Sequence, residues 1–356
     1  MVYTAEKSTF KGTFPSIKTS SLLIEESSES TEYLSSLDYA FSPKNRRYLE
    51  CDYKKTRYKI KKIIPVENAK NKIKVTASVI YPENSSIKAE DDRKDIHLST
   101  IDILFLGNRI CESIFSLSGS NPNSANSIWL EKIDMDLGNR PIVQLYNLDF
   151  TIEYLETMSL TPDSYVFRMK IGKASVDFYY HCHLPDRNVV LKNIDVADLL
   201  KSAIDEQLKP FGDQYKNRDL EINHAAFRRK GQDVAKSSIS ANLKVIQAPF
   251  DQSTNTVYST SLSVLDLMLA GAQMSKALIY KMDDVNYNRT RNWWIRSFSA
   301  YGLPKMNSLN VNVTVAVQKT TLLKKNGKTF RVADLLMTIY EFPNYGIHGN
   351  FVLELD

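Results

Sequence analysis

The chain has 356 residues, of which 43% are hydrophobic and 24% charged, and its formal net charge at pH 7 is +5. Both fractions lie near the average for globular proteins, which excludes a disordered, collagen-like or membrane-spanning chain. The N-terminus has no apolar core of signal-peptide length, and no stretch of about 18 apolar residues occurs, so we expect a non-secreted, intracellular protein without a transmembrane segment.

The first 190 residues predict a polar arm followed by a β domain. Residues 1–43 are rich in Ser, Thr and Glu and show little periodicity, which is typical of a mobile arm. Strand-like runs separated by turn-forming residues follow, as in an all-β sandwich or barrel. We therefore predict a β-sandwich core domain over 44–190. Its strand-like runs lie at 57–66, 73–81, 97–106, 127–137, 141–156, 164–171 and 174–184.

The hydrophobic period changes after residue 190. Behind Asp195 as a possible N-cap, apolar residues recur at helical spacing up to Leu208, and a second apolar stripe predicts a helix over roughly 262–281. Residues 213–250 between these helices are ambiguous, so 191–304 is predicted to be a helical and mixed segment. No internal repeat of fixed period is apparent.

The last residues predict a β-hairpin over 305–356. Apolar and polar residues alternate from Leu309 to Val317, and Asn326-Gly327 is the sequence of a type I′ turn. The predicted fold class is therefore α+β and β-rich: an antiparallel, jelly-roll-like β-sandwich with a helical segment and a C-terminal β-hairpin.

The densest charge feature is a basic run within residues 44–62, in which three tyrosines are interleaved. Basic side chains neutralise phosphates and aromatic rings stack on unpaired bases, so this mixture is typical of proteins that bind single strands. The alternative is a solvated edge strand whose lysines prevent aggregation. The cationic residues of the run are Lys44, Arg46, Arg47, Lys54, Lys55, Arg57, Lys59, Lys61 and Lys62.

A second basic and aromatic patch lies near residue 293. Arginine stacked on tryptophan, or tryptophan stacked on a base, would serve RNA binding, whereas the alternative is that one tryptophan anchors the core. The candidate nucleic-acid-binding residues of this patch are Arg289, Arg291, Trp293, Trp294 and Arg296.

No motif in the sequence indicates catalysis. His181 and His183 would share one face of a strand, but zinc needs three or four protein ligands and no second pair of Cys or His stands at motif spacing. Asn326-Gly-Lys-Thr resembles the end of a phosphate-binding loop, yet the required first glycine is replaced by Leu322. We therefore predict no catalytic residues, no metal, no cofactor and no enzymatic activity.

The order of these features resembles the thirty-kilodalton superfamily of plant viral movement proteins. The similar stretch is roughly 57–190, where runs such as 74–82, 101–109 and 165–171 resemble the family's successive core strands. The hallmark aspartate of that family is replaced by Gly107-Asn108 at the expected place, with Asp102 or Asp149 as substitutes. The resemblance implies a jelly-roll core, binding of single-stranded RNA without sequence preference, and cell-to-cell transport of a genome at plasmodesmata.

Two function classes follow from these features. The first is a non-enzymatic viral transport protein that binds single-stranded RNA, associates with itself, and contacts a viral nucleoprotein or host factor in the host cytoplasm or at plasmodesmata. The alternative is a viral or phage structural protein, similar to a capsid or sheath protein, that assembles by itself.

Overall fold

A computed structural model describes twelve stretches of the chain, and the account below concerns these residues. They are 29–37, 53–82, 97–118, 128–138, 142–156, 163–182, 194–204, 218–230, 233–247, 262–284, 293–301 and 309–355.

The described residues up to 204 form seven strands and three helices. Strand β1 covers Glu29–Ser36, within the stretch predicted to be an arm, and Tyr53–Lys55 form a single helical turn, α1. The long helix α2 covers Thr100–Leu117, and the short helix α3 covers Val196–Ile204. The other strands are β2 Arg57–Val66, β3 Ala69–Ile80, β4 Ile128–Asp136, β5 Leu148–Tyr154, β6 Ser164–Ile171 and β7 Ala174–Cys182.

The second half contains six strands, a turn of 3₁₀ helix and one long helix. The ambiguous region 213–250 contains β8 Arg218–Lys230, the 3₁₀ turn Val234–Lys236 and β9 Ser237–Gln247. The helix α4 covers Val264–Asp283, close to the predicted 262–281. The remaining strands are β10 Trp293–Tyr301, β11 Asn310–Lys325, β12 Lys328–Ile339 and β13 Phe342–Glu354.

All described strands belong to one antiparallel sheet. Its order is β1-β8-β9-β11-β12-β13-β10-β4-β7-β6-β5-β3-β2. A jelly-roll sandwich would have two packed sheets, so the predicted sandwich is wrong. The Asn326-Gly327 turn lies where the sequence predicts it, because Lys325 pairs with Lys328 and both turn residues have positive φ. The division of the chain at residues 43, 190 and 304 stays a prediction.

The stretch 97–106, predicted as a strand, is the start of α2. All residues from Ile101 to Phe115 are buried, and within the stretch predicted as a strand every residue from Ile101 to Leu106 except Asp102 is apolar. A continuous apolar run of this kind does not distinguish a buried strand from a buried helix. The capping box formed by Ser99 and Asp102 is the local signal that marks the helix start.

The sheet consists of two halves with the same topology. In each half two strands precede a long buried helix and four strands follow it. The strand orders correspond one to one, β4-β7-β6-β5-β3-β2 in the first half and β10-β13-β12-β11-β9-β8 in the second. The halves join through antiparallel pairing of β4 with β10, in which Ser297 lies opposite Asp136. The chain therefore contains an internal repeat of topology, which the search for a fixed sequence period missed.

The two halves differ at their outer edges. In the second half the outer strand β8 is covered by β1, which pairs with it from Glu29 to Ser36. In the first half β2 is the last described strand of the sheet, and its outer edge has no described strand beside it. Among the described residues, no helix combines the length and apolar character needed to cross a bilayer.

Candidate active site

Both long helices begin with the same capping box. In α2 the Ser99 side chain accepts from the Asp102 amide and the Asp102 carboxylate accepts from the Ser99 amide at 3.0 Å; Ser263 and Asp266 repeat this pattern in α4, where the distance is 2.7 Å. The buried carboxylates also accept from the first strand of their own half. Asp102 accepts from the hydroxyl of Tyr58 at 2.7 Å, and Asp266 from Nη2 of Arg218 at 2.7 Å.

The carboxylates of Asp102 and Asp266 have a structural role. Asp102 and Asp266 each have less than 3% of their surface exposed, and both accept several hydrogen bonds. The arrangement occurs in both halves, and in each half it satisfies the first amide groups of a helix whose start is buried.

A glycine recurs eight residues after each capping serine. A Cβ on Gly107 would lie 2.3 Å from Cζ of Phe178, and a Cβ on Gly271 would lie 3.1 Å from Sδ of Met337. The pattern Ser-x-x-Asp-x-x-x-x-Gly therefore stands at 99–107 and again at 263–271. It marks the closest approach of each helix to its own strands.

The first half carries a buried polar group that the second half lacks. Asn108 and Glu112 lie one turn apart on α2, and Tyr180 on β7 donates its hydroxyl hydrogen to Oδ1 of Asn108. The exposed fractions of these three residues are 0%, 4% and 1%. Nδ2 of Asn108 has no hydrogen-bond partner among the described residues. A buried donor without a partner costs about 1–3 kcal/mol, so it calls for a reason other than stability.

The second half has different residues at the matching helix and strand positions, and none of them carries an amide, a carboxyl or a hydroxyl group in its side chain. The helix positions that correspond to Asn108 and Glu112, counted from the two glycines, hold Ala272 and Lys276. The strand positions are matched through the methionine that lies against the helix glycine, Met169 in the first half and Met337 in the second. In the sheet Met169 pairs with Val176, and Met337 pairs with Ile347. Four residues after these partners the first half has Tyr180 and the second half has Phe351, so the second half also lacks the hydroxyl group. The fold does not require the polar group, because half of it lacks the group.

Aromatic rings surround the polar group. The Phe115 ring lies 5.2 Å from that of Tyr180 and 5.5 Å from those of Tyr165 and Phe167, in edge-to-face contacts. This environment excludes water and strengthens electrostatic interactions within it. The helix reaches the surface one turn after Glu112, since Ser116 and Leu117 are exposed.

Cys111 lies beside this group but is not suited to be a nucleophile. Burial raises the pKa of its thiol far above the ordinary value, the hydrogen bond with Tyr180 lowers it by less, and the charge of Glu112 raises it further. The thiol therefore stays protonated at neutral pH, and the thiolate is the form that attacks.

The predicted basic run lies mainly on the outer strand of the first half. Among its residues, Lys54 forms an ion pair with Asp219, and Lys61 donates to Oδ1 of Asn147 at 2.7 Å. Both interpretations of the run, nucleic-acid binding and a solvated edge strand, stay predictions. Exposed members are Lys55, Arg57, Lys59, Lys61 and Lys62, whereas Lys44, Arg46 and Arg47 lie outside the described residues.

The second predicted patch is described only in part. Trp293 and Trp294 begin β10, and the Trp294 ring lies 6.3 Å from that of Phe330. Arg296 is exposed beside an irregularity in the β10–β13 pairing. Arg289 and Arg291 lie outside the described residues.

The histidine candidates give no metal centre within the described stretches. His181 lies 3.8 Å from a carboxylate oxygen of Glu131, and His183 is outside these stretches. In the part of the chain that the structure describes, no three His, Cys, Asp or Glu residues cluster in a way that could hold a metal.

Sequence reasoning missed Asn108, Glu112 and Tyr180. The strand prediction for 97–106 hides the buried helix on which Asn108 and Glu112 lie one turn apart. Tyr180 is 72 residues further along the chain and is brought to Asn108 by the fold. The available signal was the repeated Ser-x-x-Asp-x-x-x-x-Gly pattern.

Several solved structures match the chain over most of its length, at low identity. A tesB protein of Mycobacterium avium subs paratuberculosis has 7% identity, covering 82% of this chain and 95% of that one, with a TM-score of 0.39. A protein of unknown function with a hot dog fold from Alicyclobacillus acidocaldarius has 7% identity, coverage of 82% and 94%, and a TM-score of 0.33. The dehydratase domain from the CurJ module of curacin polyketide synthase has 12% identity, coverage of 83% and 95%, and a TM-score of 0.30. Among curated proteins, none matches the chain.

These findings correct the predicted function. The predicted function, that of a non-enzymatic viral transport protein, is wrong, because the family model that matches the chain is that of a Pseudomonas avirulence protein. Self-association and a protein partner stay predictions.

A family model matches most of the chain. The family described as Pseudomonas avirulence D protein (AvrD) matches residues 32–344 of the 356. This family is not one of viral movement proteins, so the predicted resemblance is wrong, and the predictions of RNA transport, of a plasmodesmal location and of a viral shell protein are wrong with it. The chain belongs to the Pseudomonas avirulence D protein (AvrD) family.

Proposed function

We propose that this chain is an enzyme that transfers a proton to or from a substrate containing a carbonyl group. Glu112 is the general acid–base, and the Asn108 amide donates a hydrogen bond to the carbonyl oxygen. The observation that carries the proposal is the fully buried Nδ2 of Asn108, which has no partner among the described residues and lies one helical turn from a buried carboxyl group.

Tyr180 orients the amide for this role. Its hydroxyl donates to Oδ1 of Asn108, so the NH₂ end of the amide is the end left for a ligand. An oriented donor in a water-excluded site stabilises negative charge that develops on an oxygen in the transition state. The Asn108 amide therefore suits an enolate or a tetrahedral oxyanion.

Glu112 lies at the right spacing to act on the same substrate. Side chains four apart on a helix lie on one face with Cβ atoms about 5–6 Å apart, so the Asn108 amide and the Glu112 carboxyl group can contact the same small ligand. The carboxyl group of Glu112 can take a proton from that carbon or from an attacking water molecule. The protonated Cys111 thiol argues against a covalent intermediate.

The lining of the site favours a substrate with an apolar body. Phe115, Tyr165 and Phe167 present ring surface around the polar group. Pockets that are apolar with a few oriented polar groups bind ligands with one polar end and a hydrophobic remainder.

A labelling experiment tests the proposal without prior choice of one substrate. The protein is incubated with acyl thioesters, esters and ketones of increasing chain length, either in deuterated water or in water labelled with heavy oxygen. Mass spectrometry then detects deuterium next to the carbonyl, which reports proton transfer, or heavy oxygen in a released acid, which reports attack by water.

Two variants give the expected outcome. Glu112→Gln should reduce the labelling rate by roughly 10²–10⁴-fold and Asn108→Ala by roughly 10²–10³-fold. Glu67→Gln removes an exposed carboxyl group in the β2–β3 turn and should leave the rate unchanged. Labelling that survives Glu112→Gln, or that is absent from the wild-type protein with the whole panel, would contradict the proposal.

A further inference from the structure

The β11–β12 hairpin extends beyond the strand on its outer side. Strand β9 pairs with β11 only as far as Ser238 and Ala316, whereas β11 continues to Lys325. Within the described residues, the last part of β11 is thus paired with β12 alone. The hairpin ends at the Asn326-Gly327 turn.

Unbalanced positive charge covers this end of the hairpin. Residues 311–333 contain no Asp or Glu. Lys319, Lys324 and Lys325 are exposed, and none of them forms an ion pair with another described residue. Two other cations of the segment are already neutralised, because Lys328 pairs with Glu354 at 2.6 Å and Arg331 pairs with Asp283.

Apolar side chains project on both faces of the same ribbon. Leu322 and Leu323 are 53% and 50% exposed, and neighbours along a strand point to opposite faces. Leu323 lies opposite Phe330, whose ring contacts that of Trp294. A partner protein would cover one face, whereas a lipid interface can receive leucine side chains from both faces of a protruding ribbon.

We propose that the end of the β11–β12 hairpin binds an anionic lipid surface. Leu322 and Leu323 enter the boundary between head groups and acyl chains, and Lys319, Lys324 and Lys325 contact the negative head groups. Leu323 pairs with Phe330, and the Phe330 ring contacts that of Trp294, so the three side chains lie on the same face of the sheet. An indole ring is suited to the interface between lipid and water. The surface is separate from the buried group around Asn108, so this proposal does not depend on the proposed function.

Co-sedimentation with vesicles tests the proposal. The full chain is mixed with vesicles of phosphatidylcholine alone, or with about 30% phosphatidylserine added, at several salt concentrations. The protein should bind the anionic vesicles and not the neutral ones, and binding should weaken as salt rises. Lys319→Gln, Lys324→Gln and Lys325→Gln together should reduce the partition coefficient roughly 100-fold, since each lysine contributes about fivefold.

A matched control separates this surface from the general charge of the chain. Lys59→Gln, Lys62→Gln and Lys70→Gln remove the same number of exposed lysines at the opposite end of the sheet and should reduce binding only slightly. Leu322→Ser with Leu323→Ser should weaken binding and leave its dependence on salt unchanged.

Three outcomes would overturn the proposal. The first is that the wild-type chain fails to bind the anionic vesicles. The second is that the control triple variant loses as much binding as the hairpin variant. The third is that sedimentation without vesicles shows a dimer that the leucine variant abolishes, which would assign the surface to contact between two copies of the chain.

Discussion

Replacement of the two helix glycines by alanine should have opposite effects on stability. In α2 the new Cβ of Gly107→Ala would lie 2.3 Å and 2.6 Å from two ring atoms of Phe178. Carbon atoms in contact are normally about 3.5–4.0 Å apart, so the ring must move by more than 1 Å. Phe178 is fully buried and its ring stacks on Tyr180, which leaves it little room.

The magnitude follows from two opposing terms. Overpacking of this severity costs about 3 kcal/mol, whereas alanine in place of a mid-helix glycine gains about 1 kcal/mol. Gly107→Ala should therefore lower the free energy of unfolding by about 2 kcal/mol. In Gly271→Ala the new Cβ would meet only Sδ of Met337, at 3.1 Å. That flexible side chain can move, so most of the gain of about 1 kcal/mol should remain.

Thermal unfolding provides the assay. For a chain of this length an unfolding entropy of about 2.1 cal/mol/K per residue converts 1 kcal/mol into a shift of about 1.3 °C in Tm. Gly107→Ala should melt about 3 °C below the wild type and Gly271→Ala about 1 °C above it. Addition of Phe178→Leu to Gly107→Ala should recover part of the loss, because the smaller side chain vacates the space. Equal melting temperatures for the two alanine variants would refute the reasoning.

Three further outcomes are expected. Arg218→Met should cost about 3–5 kcal/mol in urea unfolding because it leaves the buried Asp266 carboxylate without its cation, and Asp266→Asn in the same chain should restore part of it; no recovery would contradict the ion-pair argument. The raised pKa of Cys111 means that only the unfolded chain releases this proton, so stability should fall above about pH 9 by up to about 1.4 kcal/mol per pH unit. Cys111→Ser should flatten this alkaline slope, and an unchanged slope would assign it to other groups. Iodoacetamide at pH 8 should modify Cys111 and Cys182 only after denaturation, because both thiols are buried. Alkylation of either cysteine in the native protein, detected by mass spectrometry, would contradict this expectation.

Local signals predicted those elements whose pattern depends only on neighbouring residues. The amphipathic stripe of α4 and the start of α3 after Asp195 follow from spacing along the chain, and the hairpin turn follows from Asn326-Gly327. Alternation likewise indicated the strands β2, β6 and β7, because one face of each packs on the core and the other does not. These patterns were sufficient to predict a β-rich chain with two helices after residue 190.

The helix α2 shows where such signals fail. Its residues from Ile101 to Leu106 are apolar except for Asp102, so this short run gives no contrast between an apolar and a polar face. Prediction of a strand there removed the central helix of the first half and made a two-layer sandwich the natural arrangement. The error also concealed that Asn108 and Glu112 lie one turn apart on a buried helix.

Only the tertiary structure decided which residues form the candidate site. Asn108 and Tyr180 are distant in the chain and meet because β7 packs against the middle of α2, next to the contact between Gly107 and Phe178. The absence of this group from the second half becomes visible only when the two halves are matched through their strand order, since their sequences share little beyond Ser-x-x-Asp-x-x-x-x-Gly. Composition, helical spacing and turn chemistry act over a few residues and are readable from the sequence, whereas the meeting of a helix with one strand of a sheet depends on the packing of the whole chain.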